Sequence, residues 1–485
     1  MNSEHNIQQG IAYSANVESS AGIEFKEKYG LFINNSFVAP KSKQYFDAIN
    51  PSTGEHLSKI AQAGKADVDA AVQAAHKAHG AWKKLPGKER GKYLFRIARL
   101  LQERSKELAI IESIDGGKPI RESRDFDLPL AAQHFFYYAG WADKLEYAFP
   151  NQNISSVGVC AQIIPWNFPL LMAAWKIAPA FSCGNTLVLK PAESTSLSAL
   201  RLAEIIKDAG LPEGVMNIIT GDGNTGELLT QHPLVKKVAF TGSTLVGKHI
   251  QQSLAGSGKK LSLELGGKAA HIILEDAAID QAVESIVNGI FFNQGHVCCA
   301  GSRLYVQEPV LDTVIKKLKR RMSTLIVGNP LDKNTDIGAI NNQKQFEKIS
   351  SYLKLAKDEG LELFSCATDM PSKGYYCAPT LVIGAGQSHR LVQEEIFGPV
   401  LCIETFRTLD EAIEKANQTP YGLSAGIWSE KASRSINLSK KLRAGVIWIN
   451  TYNQFDPASA FGGYKESGFG REGGPHGLRE YMQII

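Results

Sequence analysis

The sequence predicts an α/β fold, with a doubly wound parallel sheet followed by a second α/β domain. From Val157 onward, apolar runs typical of buried strands alternate with runs of helical spacing, the order expected for parallel strands joined by helices. A chain of 485 residues also exceeds the length over which one hydrophobic core usually grows. Its composition, 44% apolar and 21% charged, is ordinary for a globular protein. We therefore expect at least two domains.

The region before the sheet predicts mostly helices. Residues 1–27 are rich in Ser, Asn and Gln and predict a loosely ordered segment. Short strands are expected within residues 30–48. A helix is predicted over residues 65–82 with Asp67 as a candidate cap, and a single longer helix from about residue 88 to 114.

Four strand–helix units then lead to Glu264, and a second alternating series runs from Gly266 to about Asn450. A parallel sheet of the first kind binds nucleotides at the carboxyl ends of its strands. We assign residues 28–135 and 158–264 to a nucleotide-binding domain and residues 265–472 to a second, catalytic domain.

Composition argues against several partners. The formal net charge is +4, and the most basic run, residues 316–321, is typical of a solvated helix face, so no nucleic-acid partner is expected. The most apolar stretch, residues 157–175, is interrupted by prolines and amides and makes a poor membrane span, so no membrane partner is expected. Seven scattered cysteines without a CxxC motif favour a reduced, cytoplasmic setting. His76 and His79 lack nearby Cys or carboxylates, and no metal site is predicted.

The stretch from Leu261 to Arg303 holds the candidate chemistry. It contains one carboxylate in an apolar run, Glu264, and ends in the pair Cys298-Cys299. A thiol activated by its surroundings is a covalent nucleophile, and a carboxylate can serve as its base or activate a water molecule.

A glycine cluster gives a less specific signal. Residues 221–226 match GxGxxG between a predicted strand and a predicted helix, which is the context of a dinucleotide fingerprint. However, no Asp or Glu lies between Glu227 and Glu264, where the ribose-binding acid is expected. A simple tight turn therefore stays equally open.

Seven blocks together resemble the aldehyde dehydrogenase superfamily. They fall in that family's order, and the resemblance covers about residue 30 to the end of the sequence. The blocks are PWNFP (165–169), KPAE (190–193), FTGS (240–243), LELGGK (263–268), NQGHVCCAGSR (293–303), EIFGP (395–399) and the glycine-rich residues 461–472. The resemblance implies an aldehyde dehydrogenase-like fold with a small oligomerisation element, residues 136–157 and 473–485, and a homodimer or homotetramer.

The resemblance also implies an NAD cofactor. Lys190 and Glu193 would hydrogen-bond the adenosine ribose, and the Glu193 carboxylate should repel a 2′-phosphate, so NADP is less favoured. The residues implied to bind the cofactor are Trp166, Lys190, Glu193, Gly223, Gly242, Ser243, Leu265, Gly266, Glu395 and Phe397.

The implied reaction oxidises an aldehyde to a carboxylic acid. Cys298 adds to the carbonyl, and the Asn167 amide stabilises the oxyanion of the thiohemiacetal. Hydride transfer to NAD then leaves a thioester, which water activated by Glu264 hydrolyses. Lys176 and Glu472 match positions that the family links to proton relay. From the residues alone, Asn167 would instead be interpreted as a helix cap.

Apolar side chains are implied around the aldehyde, which favours a medium apolar or aromatic substrate. These side chains are Phe168, Met172, Trp175, Phe292, Phe455 and Phe461. One departure lies two residues before the nucleophile, where the family usually has Gln and this chain has His296. We expect His296→Gln to keep activity and to shift its pH profile modestly.

Two other functions stay open. A CoA-acylating semialdehyde dehydrogenase would form the same thioester and release it to a thiol, but Glu264 favours water. A catalytically silent family member could serve as a binding or structural protein, but the presence of both Cys298 and Glu264 argues against it.

Overall fold

The computed structural model describes residues 14–366 and 370–485, and in these ranges the chain is an α/β protein built on two large sheets. The strands are β1 (Lys28–Tyr29), β2 (Leu31–Ile33), β3 (Ser36–Val38), β4 (Tyr45–Ile49), β5 (His56–Ala61), β6 (Ile154–Ser156), β7 (Val159–Ile163), β8 (Thr186–Lys190), β9 (Met216–Ile218), β10 (Val235–Thr241), β11 (Lys260–Glu264), β12 (Ala270–Ile273), β13 (Arg303–Gln307), β14 (Glu362–Ser365), β15 (Thr380–Ile383), β16 (Val400–Phe406), β17 (Tyr421–Gly422), β18 (Ser424–Trp428), β19 (Val446–Ile449), β20 (Tyr464–Lys465), β21 (Gly468–Phe469) and β22 (Met482–Ile484).

Helices cover the faces of both sheets. They are α1 (Lys65–Lys84), α2 (Gly87–Glu103), α3 (Ser105–Gly116), α4 (Ile120–Glu122), α5 (Leu128–Trp141), α6 (Leu145–Ala148), α7 (Pro169–Ser182), α8 (Leu197–Asp208), α9 (Gly223–Gln231), α10 (Thr244–Ser253), α11 (Ile279–Phe291), α12 (Leu311–Met322), α13 (Gln343–Asp358), α14 (Arg390–Gln393), α15 (Leu409–Asn417), α16 (Ala432–Ser439) and α17 (Gly474–Arg479). Among the described helices, none combines the length and apolar character that crossing a bilayer requires.

The first sheet is doubly wound. Its order is β21-β11-β10-β7-β8-β9-β2-β3, and the five strands from β11 to β9 are parallel. The chain proceeds outward from β7 to β9 and then returns to the other side of β7 with β10 and β11, so the strand order reverses beside β7. Ligands of open α/β sheets bind at such a reversal, outside the carboxyl ends of the strands. The segments that leave β7 and β10 at that edge are 164–168 and 242–243.

The second sheet has seven strands in the order β14-β15-β16-β13-β12-β18-β19, parallel except for β14. The segment between α11 and β13 carries Cys298 and enters the sheet beside β12. Smaller sheets pair β1 and β4 with β5, β17 with β20, and β6 with β22.

One strand from near the end of the chain, β21, joins the first sheet. β21 pairs antiparallel with β11, which sets Glu264 opposite Gly468. A Cβ on Gly468 would lie 2.0 Å from the Leu263 carbonyl oxygen, so this close pairing requires glycine. The predicted limits of the catalytic domain, residues 265–472, include β21, although its pairing places it on the other sheet.

Two local expectations differ from the structure. The single helix over residues 88–114 is two helices, α2 and α3, which are separated at Arg104 (φ −100°, ψ 14°). Arg104 forms ion pairs with Glu107 and with Glu204 on α8, a tertiary contact that helical periodicity does not encode. Asp67 is the third residue of α1, and its side chain accepts the N–H of Gly64 in a capping box. Gly64 is therefore the cap.

The segment that the sequence predicts to be loosely ordered, residues 1–27, is described only from residue 14. Its first 13 residues lie outside the described ranges. Val17 forms an isolated bridge with Asp332, and the Glu18 N–H donates to the Leu331 carbonyl at 2.7 Å. The Glu18 carboxylate also pairs with Lys106 and Lys333.

Candidate active site

A cavity of about 1170 Å³ opens where the strand order of the first sheet reverses, and loops of both sheets line it. Its volume is slightly above the usual range of small-molecule sites, about 300–1,000 Å³. The cavity brings together most of the site residues expected from the sequence: Trp166, Asn167, Phe168, Met172, Trp175, Gly242, Ser243, Leu265, Gly266, Phe292, Cys298, Glu395, Phe397, Phe455 and Phe461.

The loop before Cys298 has an unusual backbone. Asn293 and Gln294 are left-handed, with φ 48° and 54°, and Gly295 follows with φ 75°. A Cβ on Gly295 would lie 2.2 Å from the Gly398 carbonyl oxygen, so this approach requires glycine. The turn ends with Cys298 and Cys299 at the cavity wall, and Cys299 is the more deeply buried of the two.

The surroundings do not lower the pKa of the Cys298 thiol. A hydrogen bond with the Cys299 side chain, followed by burial, raises the pKa of Cys298 well above its ordinary value. The raised pKa indicates that the Cys298 thiol is protonated in this state. Since the thiolate is the nucleophile, the proton must leave during the reaction, and a base is required.

Asn167 is held beside this loop. Its Nδ2 donates to the His296 carbonyl at 2.7 Å. Its own carbonyl accepts from Asn293 Nδ2, also at 2.7 Å. Phe168 is the N-cap of α7 and no side chain caps that helix, so Asn167 is not the cap that its position suggests. An amide nitrogen carries two N–H groups, which leaves one for the cavity.

Glu264 ends β11 as a buried carboxyl. It is 6% exposed, and neither of its oxygens has a hydrogen-bond partner among the described atoms. Burial raises its pKa well above the ordinary value. The Glu472 carboxylate and the Cys298 sulfur raise it further, while Lys176 opposes them. A carboxyl of this kind can hold and release a proton near neutral pH.

Lys176 and Glu472 form a buried ion pair behind the cavity wall. Lys176 lies in the middle of α7, and Glu472 lies on a segment that bridges Phe461. Since both act on the pKa of Glu264, the pair is electrostatically coupled to the cavity without lining it.

Another part of the cavity contains the residues expected to hold the nicotinamide ribose. Glu395 Oε1 accepts the N–H of Gly267 at 2.9 Å. A Cβ on Gly266 would lie 2.5 Å from Glu395 Oε2, so the turn after β11 lies directly on this carboxylate. Phe397 is left-handed (φ 59°), and its ring meets the Trp166 ring edge-on at 5.3 Å.

The residues expected at the adenosine ribose lie away from the cavity wall. Lys190 ends β8, and its Nζ lies 3.7 Å from Glu193 Oε2. The side chain of Lys190 also runs close to Gly226. Gly223 begins α9, but the Asp222 side chain already accepts the N–H groups of Asn224 and Thr225. The glycine cluster is therefore a capped turn, and the helix terminus does not offer these two amides to a phosphate.

His296 is enclosed by the cofactor-side aromatics. Its ring lies 4.7 Å from Trp166 and 5.8 Å from Phe397, and the residue is 1% exposed. Burial lowers the pKa of His296 to about 3, so the imidazole is neutral at any working pH. Because His296 does not titrate near neutrality, the structure gives no reason for His296→Gln to shift the pH profile.

Among the cavity residues that sequence reasoning missed are Phe126, Gln345 and Lys348. Phe126 contacts Phe292 at 5.3 Å and Phe455 at 6.1 Å and completes the aromatic wall. Gln345 donates to the Ile396 and Phe397 carbonyls, at 2.9 and 2.8 Å, and so holds the left-handed turn. Lys348, one turn along α13, also lines the cavity. No motif marked these residues, because they come from helices of ordinary composition.

Comparison with known proteins agrees with this geometry. The family model "Aldehyde dehydrogenase family" matches residues 37–485. A curated relative, "Putative aldehyde dehydrogenase DhaS" of Bacillus subtilis, is 45% identical over 94% of each chain. "Retinal dehydrogenase 2" of Homo sapiens is 43% identical over 94% of this chain and 90% of its own.

Solved structures agree over the same length. The NAD+ complex of an aldehyde dehydrogenase from Bacillus cereus aligns with a TM-score of 0.93, 37% identity, and coverage of 97% of this chain and 98% of its own. An indole-3-acetaldehyde dehydrogenase solved with NAD+ aligns with a TM-score of 0.91 and 37% identity, over 95% of this chain and 96% of its own. By sequence, by fold and by the residues that meet in its cavity, this chain belongs to the aldehyde dehydrogenase family.

Proposed function

We propose that this chain oxidises an aldehyde to a carboxylic acid with NAD, through a covalent adduct on Cys298. One observation carries the proposal: the loop of Cys298, from the second sheet, lies against the turn that follows Glu264, from the first. A Cβ on Gly267 of that turn would lie 2.3 Å from the Cys298 carbonyl oxygen, and the Cys298 sulfur raises the pKa of Glu264. Asn167 lies beside them, and one of its two amide N–H groups is used by the loop, at the His296 carbonyl, which leaves the other for an oxyanion. A nucleophile, a base and an oxyanion donor from three segments form the set that acyl chemistry requires.

The cavity fits a dinucleotide. Ser243 caps α10 at the strand-order reversal. Its side chain accepts the N–H of Val246, which leaves the amides of Thr244 and Leu245 for a phosphate. The Glu395 carboxylate is partly buried beside Gly266 and is suited to bind ribose hydroxyls. Trp166 and Phe397 form an aromatic wall next to it. When bound there, NAD supplies the acceptor for the hydride that the aldehyde carbon loses.

The residues of this chain perform the remaining steps. Glu264 accepts the Cys298 proton, and the thiolate adds to the carbonyl carbon of the aldehyde. The free N–H of Asn167 and the backbone N–H of Cys298 stabilise the oxyanion. After oxidation the carbon is a thioester. Glu264 releases its first proton to solvent and then accepts one from the water that attacks the thioester. It gives this proton to the departing Cys298 sulfur as the acid leaves, which restores the thiol.

The substrate proposed is a medium apolar or aromatic aldehyde. Trp175 contacts Phe461 at 5.3 Å and Phe455 at 6.1 Å, so aromatic rings form this wall of the cavity. Phe168 lies 6.3 Å from Phe292 in a stacked arrangement. Aromatic walls favour flat apolar groups through burial and ring contacts. Relatives named for indole-3-acetaldehyde and for retinal support this class.

We further propose a homodimer or homotetramer in a reducing, cytoplasmic setting. β22 pairs with β6 in a two-stranded sheet. Ile484 at the end of β22 and Ile485 after it are exposed. Leu245 and Val246 on α10 are also exposed apolar side chains. Exposed strand edges and apolar helix faces favour association. All seven cysteines are unpaired, as expected for a reducing compartment.

The test is NADH formation, followed by absorbance, with NAD and a panel of aliphatic and aromatic aldehydes. Turnover should be highest with aromatic aldehydes and should disappear in Cys298→Ala. Higher turnover with NADP would contradict the cofactor assignment. If the wild type oxidises an aldehyde only when CoA is added, the product is an acyl-CoA, and the hydrolytic role of Glu264 is wrong. If NAD binds but no aldehyde reacts with or without CoA, the chain is a silent member of the family.

A further inference from the structure

The loop that carries Cys298 begins in a backbone conformation that its side chains disfavour. Asn293 and Gln294 are both left-handed and stand one after the other. A left-handed residue with a Cβ is unfavourable, and such residues persist only where the surrounding structure holds them. The position of Cys298 therefore depends on contacts that the rest of the protein makes with this turn.

Glu122 supplies one such contact from a distant part of the chain. Its Oε2 accepts the backbone N–H of Asn293 at 2.8 Å. Glu122 is the last residue of α4 and precedes a π-helical turn, Ser123–Asp127, an irregularity that is frequent at functional sites. The side chain is 6% exposed and borders the cavity. It links the wall formed by α4 to the turn before the nucleophile.

Asn293 transmits this constraint to the proposed oxyanion donor. Its Nδ2 donates to the Asn167 carbonyl, and Asn167 Nδ2 donates to the His296 carbonyl, each at 2.7 Å. The ring closes because the His296 N–H donates to the Asn293 carbonyl at 2.8 Å. These three bonds, here called the Asn293 ring, end two residues before Cys298. They set the position of the Asn167 amide relative to the sulfur.

We propose that Glu122 is a positioning residue for catalysis: its carboxyl oxygen holds Asn293 and, through the Asn293 ring, aligns the Asn167 amide with Cys298. The inference rests on the proposed function for the roles of Asn167 and Cys298. Glu122 acts through the Asn293 backbone and not on the reacting atoms.

Glu122 holds Asn293 through its acceptor oxygen and not through its charge. Burial raises the pKa of Glu122 to about 8, although Lys118 opposes the shift. At neutral pH most molecules therefore carry a protonated carboxyl, whose carbonyl oxygen still accepts a hydrogen bond. Gln at this position presents the same acceptor at the same length. Met has nearly the same length and offers no comparable acceptor.

The experiment compares Glu122→Gln and Glu122→Met in the full chain. Two properties are measured: the steady-state kcat and KM, and the rate at which iodoacetamide alkylates Cys298 without substrate, followed by mass spectrometry of the Cys298 peptide. Glu122→Gln should keep both within about twofold of wild type. Glu122→Met should lower kcat about tenfold to a hundredfold, because small misplacements of reacting groups have effects of this size, and should leave the KM for NAD within about twofold. Its alkylation should be at least about threefold slower, because the displaced loop turns the sulfur from the cavity.

Asp115→Leu is the matched control. Asp115 is 1% exposed and also accepts a backbone N–H, that of Leu197 at the start of α8, at 2.9 Å. Losing this buried acceptor should lower the melting temperature as Glu122→Met does, because both leave an N–H unpaired. Unlike Glu122→Met, it should leave kcat and the alkylation of Cys298 unchanged.

If Glu122→Met does not fold, Glu122→Asp tests the same point, since it withdraws the acceptor by one methylene. Its kcat and its alkylation rate should lie between the wild-type values and those expected for Glu122→Met. Wild-type values in the Met variant, or in the Asp variant where Met does not fold, would overturn the proposal. An inactive Glu122→Gln would also overturn it, because the charge would then be required. Alkylation needs no turnover, so a wild type that oxidises no aldehyde refutes the proposed function and leaves this test readable.

Discussion

Burial sets the protonation of both groups that the proposed reaction uses. The pKa values of Cys298 and Glu264 are raised, and the carboxyl has no hydrogen-bond partner to stabilise its charge. Proton transfer from the thiol to the carboxylate costs less free energy when the pKa of the carboxyl is raised, because the two pKa values then lie closer together. The same carboxyl must be ionised to accept that proton, so turnover should rise with pH through the raised pKa of Glu264.

Glu264→Gln should slow both acylation and hydrolysis, because Glu264 is the proposed base of both steps. Loss of a general base lowers rates by about 10²–10⁴-fold, and we expect a steady-state loss of this size. The first equivalent of NADH per site and the acyl adduct on Cys298, measured by stopped-flow absorbance and intact mass, should both form more slowly than in wild type. The rise of turnover with pH should disappear. Asp115→Asn, a change at another buried carboxyl, is the control and should behave as wild type. Full turnover in Glu264→Gln would assign hydrolysis to another base.

At the scale of elements, α7 joins the cavity to the C-terminal segment. One face of the helix presents Met172 and Trp175 to the cavity, while Lys176 pairs with Glu472 behind the wall. The helix therefore ties the substrate pocket to the residues that adjust Glu264. A buried ion pair contributes little net stability, but removing one partner leaves an uncompensated charge.

Changes to this pair should move the activity profile in opposite directions. Glu472→Gln removes a carboxylate that raises the pKa of Glu264, so the rise of kcat with pH should shift to lower pH. Lys176→Met removes a cation that lowers the same pKa, so the rise should shift to higher pH.

Each single variant should also lose about 3–5 kcal/mol of unfolding free energy in denaturant titration, since a buried charge is left alone. The double variant Lys176→Met with Glu472→Leu is the control and should recover much of that stability. Equal profiles in the two single variants would show that the pair does not act on Glu264.

At the scale of the molecule, the site exists only where the two sheets meet. β11 and the turn after it bring Glu264 from the first sheet, the loop before β13 brings Cys298 from the second, and β21 returns to lie on β11. The exposed edge of the β6–β22 ribbon is the part of this assembly best suited to a second subunit.

Ile484→Lys should weaken assembly, because a charge on an exposed strand edge opposes pairing with another chain. Light scattering after size exclusion should show a dimer or tetramer for the wild type and a smaller species for the variant. Ile436→Lys, at an exposed apolar residue of α16, is the control and should keep the wild-type mass. A wild type that elutes as a monomer would refute the proposed assembly.

The sequence by itself determined the family, the α/β class, the use of NAD and the aldehyde-oxidising class, and these predictions are confirmed. They depend on local patterns: strand and helix periodicity, and blocks such as LELGGK whose residues are neighbours in the chain. The roles of Glu264, Asn167 and Cys298 stay predictions, although the structure brings Asn167 and Cys298 to one cavity and Glu264 to the strand end beside it.

The tertiary structure decided what local patterns do not encode. The contact of Glu122 with Asn293 spans 171 residues and has no motif. The neutral state of His296 comes from burial between Trp166 and Phe397, and desolvation depends on every segment that packs around the ring. Periodicity reports which face of an element is buried, but not which distant segment buries it. The protonation states and the alignment of this site are therefore properties of the packed chain.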